Sequence, residues 1–418
     1  MEKIERALKY LIEEKYVSPH DLMYSTKLPF NLEPFEYQKL KIKIKEKLYS
    51  ENEIIFKELN LNSFDNKPLF FANLSKELIT LVQIYVNLVD DDFKKSDDAL
   101  FFKKMPGILG SRIYSEIEGT LSIESVNTTR KRISELVSGK RKPSDINDFI
   151  VKNMINAFEF VLTAPTFNKD NLFNLYKLLS ADCLEEDYKL QPCNYYRHDE
   201  VEVDRYAGCP ASKIDNCMNS LIEFVNYALQ SNDVRLKFFL PHIAHYYILY
   251  IHPYFDYNGR TARMVSFWLI LLTNFIVAPF ASEAIDQNKN LYYEALRNTR
   301  DADNDLTYFL IYILKVTISS YNCYQNIEEM ENNLKNNGVV LTNNEKIYLK
   351  KIMMSAKGYF LYSDFIKWIK TDISKQGALK ILNAFVDYDI LITKSSKSNQ
   401  KLFSLNEIKL KFKINIFD

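Results

Sequence analysis

The sequence predicts a mainly α-helical fold, and three observations lead to that prediction. Only nine glycines occur among 418 residues, which favours helices over a turn-rich β protein. Two apolar stretches, 238–251 and 264–280, dominate the centre of the chain. In the first, Ile243, Tyr247 and Tyr250 recur at helical spacing. The short polar segment between the two stretches therefore indicates a helix–loop–helix junction with both helices buried.

Composition is that of an ordinary soluble globular protein. The formal net charge is zero, with 47% hydrophobic and 26% charged residues, so no global attraction to nucleic acid or membrane is implied. The most apolar stretch, 265–280, is shorter than the roughly 20 residues that a membrane span needs. The charged start at residues 1–5 does not resemble a signal peptide. We therefore expect a cytoplasmic protein with no membrane partner.

Five cysteines occur without any Cys-x-x-Cys pair, and only five histidines are present. An odd number of cysteines with this spacing argues against a disulfide framework and against a zinc site. Free thiols in a reducing cytosol are the natural interpretation.

The polar segment 252–263 carries the candidate chemistry. Pro253 predicts that the first helix stops near His252, and Asn258-Gly259 permits a tight turn before Arg260 opens the second helix. The backbone N–H groups at the start of a helix have no partner within the helix, and with the macrodipole they form an anion site. The segment therefore predicts an anion-binding loop.

Four side chains of this loop suit transfer chemistry on a nucleotide polyphosphate. Arg260 and Arg263 lie one turn apart on one helix face and are able to clamp phosphates. Asp256 offers a hard oxygen ligand of the kind that Mg²⁺ shares with substrate phosphates. His252 has the side chain best matched to proton transfer near neutral pH.

The same segment resembles the signature of the Fic family (filamentation induced by cAMP), His-Pro-Phe-x-Asp/Glu-Gly-Asn-Gly-Arg-x-x-Arg. Tyr254 replaces the usual phenylalanine, and Tyr257 replaces the first glycine. The remaining signature positions match, at His252, Pro253, Asp256, Asn258, Gly259, Arg260 and Arg263. The resemblance implies a Fic-type helical bundle with a small β-hairpin flap.

The resemblance also implies an activity: transfer of AMP from ATP, with Mg²⁺, to a Ser, Thr or Tyr hydroxyl of a protein, the chain itself included. His252 would take the hydroxyl proton, and Asp256 would hold Mg²⁺. Asn258 and the loop amides, Gly259 among them, would hold the α-phosphate. Arg260 and Arg263 would bind the β- and γ-phosphates.

A second segment, 114–120, resembles the family's inhibitory helix, Ser/Thr-x-x-x-Glu-Gly/Asn. Glu118-Gly119 fit this pattern, although Tyr114 occupies the Ser/Thr position and Ser115 lies beside it. The resemblance implies that Glu118 pairs with Arg263 and displaces the γ-phosphate of ATP. Glu124 lies nearby but lacks a following glycine, so Glu118 is the predicted inhibitory residue.

Two further segments fit the family. Val201-Glu202-Val203 is a short alternating run that predicts a hairpin, which resembles the flap against which a target peptide would dock by strand addition. The segment 288–300 resembles the helix that follows the active site. There the resemblance implies that Asn288 and Tyr292 contact the adenine.

Breaks in pattern predict the domain organisation. We expect an N-terminal helical region over residues 1–85, the Fic domain over 86–325 and a linker over 326–338. Residues 339–418 resemble a winged helix, because three helical segments there precede two short strands. Residues 341–418 hold fourteen lysines and seven acidic residues. This tail could bind DNA through the helix after Ser374, although homodimerisation or target docking is equally compatible.

Two alternatives to AMP transfer stay open. Within the enzyme class, the chain could remove AMP or transfer another nucleotide. Outside it, Tyr257 could block catalysis and leave a Fic scaffold that acts as a DNA-binding regulator.

Overall fold

The chain is helical almost throughout the part that the computed structural model describes. The described residues are 2–11, 32–50, 54–56, 59, 61–65, 71–72, 75–95, 106–126, 128–164, 166–273, 281–369, 373–396 and 400–411. The helices are α1 (Glu2–Lys9), α2 (Pro34–Ser50), α3 (Lys76–Lys95), α4 (Pro106–Ile123), α5 (Arg130–Val137), α6 (Ile146–Thr163), α7 (Lys169–Ser180), α8 (Ala211–Gln230), α9 (Val234–Ile251), α10 (Asn258–Thr273), α11 (Ala281–Gln287), α12 (Lys289–Asp301), α13 (Thr307–Asn336), α14 (Asn343–Ser355), α15 (Tyr362–Ile369) and α16 (Lys375–Asp387). The predicted mainly α fold is confirmed.

Strands occur as three short antiparallel pairs within the described ranges. They are β1 (Ile54–Phe56) with β2 (Phe71–Ala72), β3 (Glu202–Val203) with β4 (Tyr206–Ala207), and β5 (Leu391–Ser395) with β6 (Lys401–Leu405). The β3–β4 pair is the hairpin that the alternating run predicts. No described helix combines the length and the apolar character that crossing a membrane requires.

Helices α9 and α10 form the centre of the main core. Nearly all side chains of α9 are buried, and its start is capped by Asp233, whose carboxylate accepts a hydrogen bond from the Arg235 N–H at 2.9 Å. It ends at His252, whose backbone has φ 54° and ψ 62°. Helix α10 begins six residues later and is also buried along most of its length. The two apolar stretches therefore build the predicted junction, and residues 274–280 lie outside the described part.

The end of the chain has a hydrophobic core of its own. Helices α14, α15 and α16 precede the β5–β6 hairpin, and their apolar side chains cluster with the last turns of α13. Segment 326–338, predicted as a linker, is instead helical as far as Asn336. Ile327, Met330 and Leu334 are buried on one face of α13, and this amphipathic pattern explains why the polar, Glu- and Asn-rich segment remains helical.

Helix α4 meets the start of α11 at a very short backbone distance. A Cβ atom placed on Gly119 would lie 2.5 Å from the backbone nitrogen of Glu283 and 2.6 Å from the carbonyl carbon of Ser282. Ser282 and Glu116 are both buried at this contact, and the Ser282 N–H donates to the two Glu116 carboxylate oxygens at 3.2 and 3.3 Å. Glycine is therefore required at position 119 by packing.

We expect Gly119→Ala to lower the free energy of unfolding by about 1–3 kcal/mol, the usual range for overpacking. Alanine is the better helix former by about 1 kcal/mol, so a gain in stability of that size would show that α4 and α11 lie farther apart. Chemical denaturation measures the change. Ser134→Ala, at an exposed position of α5, is the matched control and should change stability by less than about 0.5 kcal/mol.

Candidate active site at the junction of α9 and α10

The loop between α9 and α10 is held by its own side chains. Asn258 accepts a hydrogen bond from the Tyr254 N–H at 3.0 Å and donates one to the Tyr254 carbonyl at 2.8 Å. Its side chain is buried and both polar atoms are used. Asn258 therefore closes the loop, and its expected contact with an α-phosphate stays a prediction.

Arg197 is not part of the loop in sequence but hydrogen-bonds to its backbone, a role that was not predicted from the sequence. Its Nε donates to the His252 carbonyl at 2.8 Å, and its backbone N–H donates to the Pro253 carbonyl at 3.0 Å. The same guanidinium also donates to the carbonyls of Asp199 and Cys209. Arg197 is buried, so one cation fixes both the His252 carbonyl and the base of the β3–β4 hairpin. Its place just before the predicted flap was the only signal in the sequence.

His252 lies in the left-handed region at the end of α9 and lines a cavity at this junction. Burial, and then the positive charge of Arg197, lower the pKa of its imidazole to about 4. Its Nδ1 atom is buried and has no hydrogen-bond partner within the described residues. The imidazole is therefore neutral at pH 7 and is able to accept a proton.

The cavity beside the loop has a volume of about 480 Å³. Its wall is aromatic and cationic, and it carries a carboxylate just beyond the end of α4. The lining residues are Glu124, Val203, Asp204, Tyr206, Tyr246, Leu249, Tyr250, His252, Gly259, Arg263, Tyr292, Tyr293, Leu296, Arg297 and Arg300. The structure thus brings His252, Gly259, Arg263 and Tyr292 together in one cavity wall.

Asn288 stands apart from these residues. Its side chain donates to the Ala284 carbonyl at 3.0 Å, and it is not part of the cavity wall. Tyr292 is buried in the wall, and its hydroxyl lies 2.8 Å from Nε2 of His245. Of the two residues expected at the adenine, only Tyr292 is therefore placed to contact a ligand in this cavity.

The predicted flap borders the same cavity. Glu202 pairs with Ala207, Val203 pairs with Tyr206, and the Val201 carbonyl accepts from the Gly208 N–H at 2.9 Å. The Tyr206 hydroxyl donates to Asp301 of α12 at 2.6 Å. The hairpin is therefore anchored to the far wall of the cavity.

Glu124, and not Glu118, is the glutamate that pairs with Arg263, so the predicted Glu118–Arg263 pair is wrong. Oε1 of Glu124 lies 2.5 Å from Nη2 of Arg263. The Arg263 Nε donates to Oγ1 of Thr120 at 2.7 Å. Glu118 lies 3.9 Å from Arg130 and 3.8 Å from Lys351 instead.

Helix geometry explains this correction. Glu118 precedes Glu124 by six residues, which places it about 120° away around the helix axis, whereas Thr120 precedes Glu124 by four and shares its side. Thr120-x-x-x-Glu124 therefore satisfies the Ser/Thr-x-x-x-Glu spacing. Ser125 then takes a φ of 60°, a conformation that glycine or asparagine adopts most easily. This spacing was the signal that could have identified Glu124.

The Glu124 carboxylate occupies the anion site at the start of α10. A Cβ on Gly259 would lie 2.5 Å from Oε1 of Glu124 and 3.2 Å from Nη1 of Arg263. Burial by itself would raise the pKa of the Glu124 carboxyl, but the Arg263 guanidinium outweighs it and holds the pKa below its usual value. Glu124 is therefore ionised and lies against the first turn of α10.

Asp256 is the residue that could hold a magnesium ion. Its side chain is about half exposed at 51%, and Oδ1 accepts from the Tyr257 N–H at 2.5 Å and lies 3.8 Å from Nη2 of Arg260. Within the described residues no cluster of three or more potential protein ligands occurs. One carboxylate beside a phosphate site suits Mg²⁺, which usually keeps waters and takes its other ligands from the substrate.

Comparison with known proteins places this geometry in a family. Residues 166–270 match the profile of the Fic/DOC family, and no curated protein matches the chain.

Three solved structures are similar over much of their length. A Fic family protein from Desulfovibrio desulfuricans is 17% identical with a TM-score of 0.47, over 79% of this chain and 96% of that one. Fic-1 from C. elegans is 17% identical with a TM-score of 0.45, over 61% and 72%. A Fic domain containing signaling protein from Bacteroides thetaiotaomicron is 14% identical with a TM-score of 0.39, over 59% and 97%.

The matched segment contains the loop, Arg197, the β3–β4 hairpin and both arginines of α10. Through these residues the chain contains a Fic/DOC domain, a family whose members generally transfer a nucleotide monophosphate to proteins.

Proposed function

We propose that this protein transfers AMP from ATP to a hydroxyl of a protein side chain and that Glu124 holds the activity low. The observation that carries the proposal is a neutral, buried His252 in the wall of a 480 Å³ cavity that also contains Arg263 and the start of α10. A proton acceptor and a polyphosphate-binding cation thus share one pocket of nucleotide size.

The chemistry follows from these positions. His252 accepts the proton of a Ser, Thr or Tyr hydroxyl whose peptide lies along the β3–β4 hairpin. The hydroxyl oxygen attacks the α-phosphorus of ATP, the bond from that phosphorus to the α–β bridging oxygen breaks, and pyrophosphate leaves. The amides at the start of α10 and the two arginines stabilise charge on the phosphates. Mg²⁺ held by Asp256 would neutralise further charge on the phosphate oxygens.

Inhibition is a competition for Arg263. A guanidinium paired with Glu124 is not free to bind the γ-phosphate, and the Glu124 carboxylate also repels a phosphate at the start of α10. Productive ATP binding therefore requires Glu124 to leave. The same argument gives Glu118 no direct part, since it contacts Arg130 and Lys351.

We expect Glu124→Ala to raise label transfer from α-³²P-ATP by about 10- to 100-fold, because an arginine–phosphate hydrogen-bonded pair is worth about 1.5–3 kcal/mol. Glu118→Ala is the matched control on the same helix and should raise it far less. Glu124→Ala/His252→Ala should abolish transfer. A folded Glu124→Ala protein that labels neither itself nor lysate proteins would overturn the proposal.

The pH profile tests the state of His252. The base must be unprotonated, and burial with the Arg197 charge lowers its pKa to about 4, so the rate should stay level as pH falls from 8 to about 5.5. Below about pH 4 it should fall tenfold per unit. We would measure kcat of Glu124→Ala at saturating ATP and Mg²⁺. Half-maximal activity near pH 6.5, where an ordinary histidine titrates, would contradict the buried, neutral base.

A further inference from the structure

We propose that Tyr257 is a positioning residue that holds the Arg260 guanidinium ready for substrate phosphates. The proposal rests on the function proposed above, because it assigns the phosphate-binding half of that site. Tyr257 stands where the family signature has glycine, and a blocked, inactive site is the alternative that the sequence leaves open.

The ring of Tyr257 is a platform for Arg260. The central carbon of the guanidinium lies 3.4 Å from the ring centroid, which is stacking distance. The ring is buried, with 3% of the residue exposed, and its hydroxyl contacts the thiol of Cys183. The phenol is thus anchored at its far end while its face covers one side of the cation.

The backbone conformation of Tyr257 raises the free energy of the folded loop unless other contacts of this residue offset it. Its φ is 67°, in the left-handed region that residues with a Cβ seldom adopt. Its N–H is bonded to Asp256, and its carbonyl accepts from the Thr261 N–H at 2.9 Å, which starts α10. Burial of the ring and stacking on Arg260 offset the conformational cost.

Two nitrogens at the edge of the Arg260 guanidinium lack a protein acceptor within the part of the chain that the structure describes. Its Nε and Nη1 atoms are buried and have no acceptor among the described residues, and Nη2 lies 3.8 Å from Asp256. Buried donors without acceptors are costly, and those of a charged group are the most costly. Tyr257 closes one face of the cation, and the edge is the side by which a guanidinium binds phosphate oxygens in pairs.

Arg260 differs in this respect from Arg263, the other cation of the loop. Arg263 already has Glu124 and Thr120 as partners, whereas the only carboxylate paired with Arg260 among the described residues is the half-exposed Asp256, 3.8 Å from Nη2. The Nε and Nη1 atoms of Arg260 are therefore able to bind a phosphate without first displacing an internal anion.

The test is titration calorimetry of the full chain carrying Glu124→Ala, with inorganic tripolyphosphate as the charged probe and adenosine as the uncharged one. Tyr257→Leu keeps the bulk but removes the aromatic face, and should weaken tripolyphosphate binding about 3- to 10-fold, the range of an arginine–aromatic contact. Adenosine affinity should not change. Tyr257→Phe should bind both probes as Tyr257 does, and Arg260→Lys should weaken tripolyphosphate as Tyr257→Leu does.

Several results would overturn the assignment. They are equal or tighter tripolyphosphate binding by Tyr257→Leu, parallel loss of both probes, or no tripolyphosphate binding before Tyr257 is changed. If Tyr257→Leu does not fold, Tyr257→Gly, which relieves the positive φ, is measured in its place with the same expected loss. Label transfer from ATP is scored separately, so selective loss of tripolyphosphate binding without any transfer would uphold the role of Tyr257 and refute the proposed function.

Discussion

The buried positive charge of Arg263 is the constraint on which the site depends. Only 6% of the residue is exposed, and burial alone would lower the pKa of its guanidinium, but the Glu124 carboxylate more than compensates and keeps it charged. A buried cation needs an anion and further hydrogen bonds. Glu124 supplies the anion and Thr120 the hydrogen bond, so the end of α4 must dock on α10, and Gly259 must lack a side chain where they meet.

A second set of buried charges fixes the middle of α4 and reaches the C-terminal part of the chain. Glu283 of α11 pairs with Lys350, and lies 3.2 Å from Lys351, both on α14. Lys351 in turn lies 3.8 Å from Glu118 on α4. These lysines are almost fully buried, so removing one partner would leave an uncompensated charge. Helix α14 thus contacts α4, just beyond which lies Glu124, and the C-terminal part of the chain shares a charged interface with that helix.

The parts of the site that were predictable lie close together in sequence. From His252 to Arg263 the residue pattern places the end of one helix and the start of the next, but α10 already begins at Asn258, so the turn expected at Asn258-Gly259 is wrong and Tyr257 takes the left-handed conformation instead. The partner of Arg263 was misassigned because Glu118-Gly119 has the expected pair of residues for another reason: Gly119 admits the backbone of α11. Arg197 was missed because its position before the flap was its only signal, and a cation that binds backbone carbonyls belongs to no side-chain motif.

Arg263 takes one anion at a time, and this couples ligand binding to the position of α4. If ATP weakens the docking of Glu124 by some factor, then docking weakens ATP binding by the same factor. The intramolecular anion holds an advantage because the packing at Gly119 and the Ser282–Glu116 hydrogen bonds already place α4, so Glu124 loses little further freedom on pairing. A change that loosens α4 at these upstream contacts therefore lowers the effective concentration of Glu124 at Arg263, and favours ATP without any alteration of the loop from His252 to Arg263.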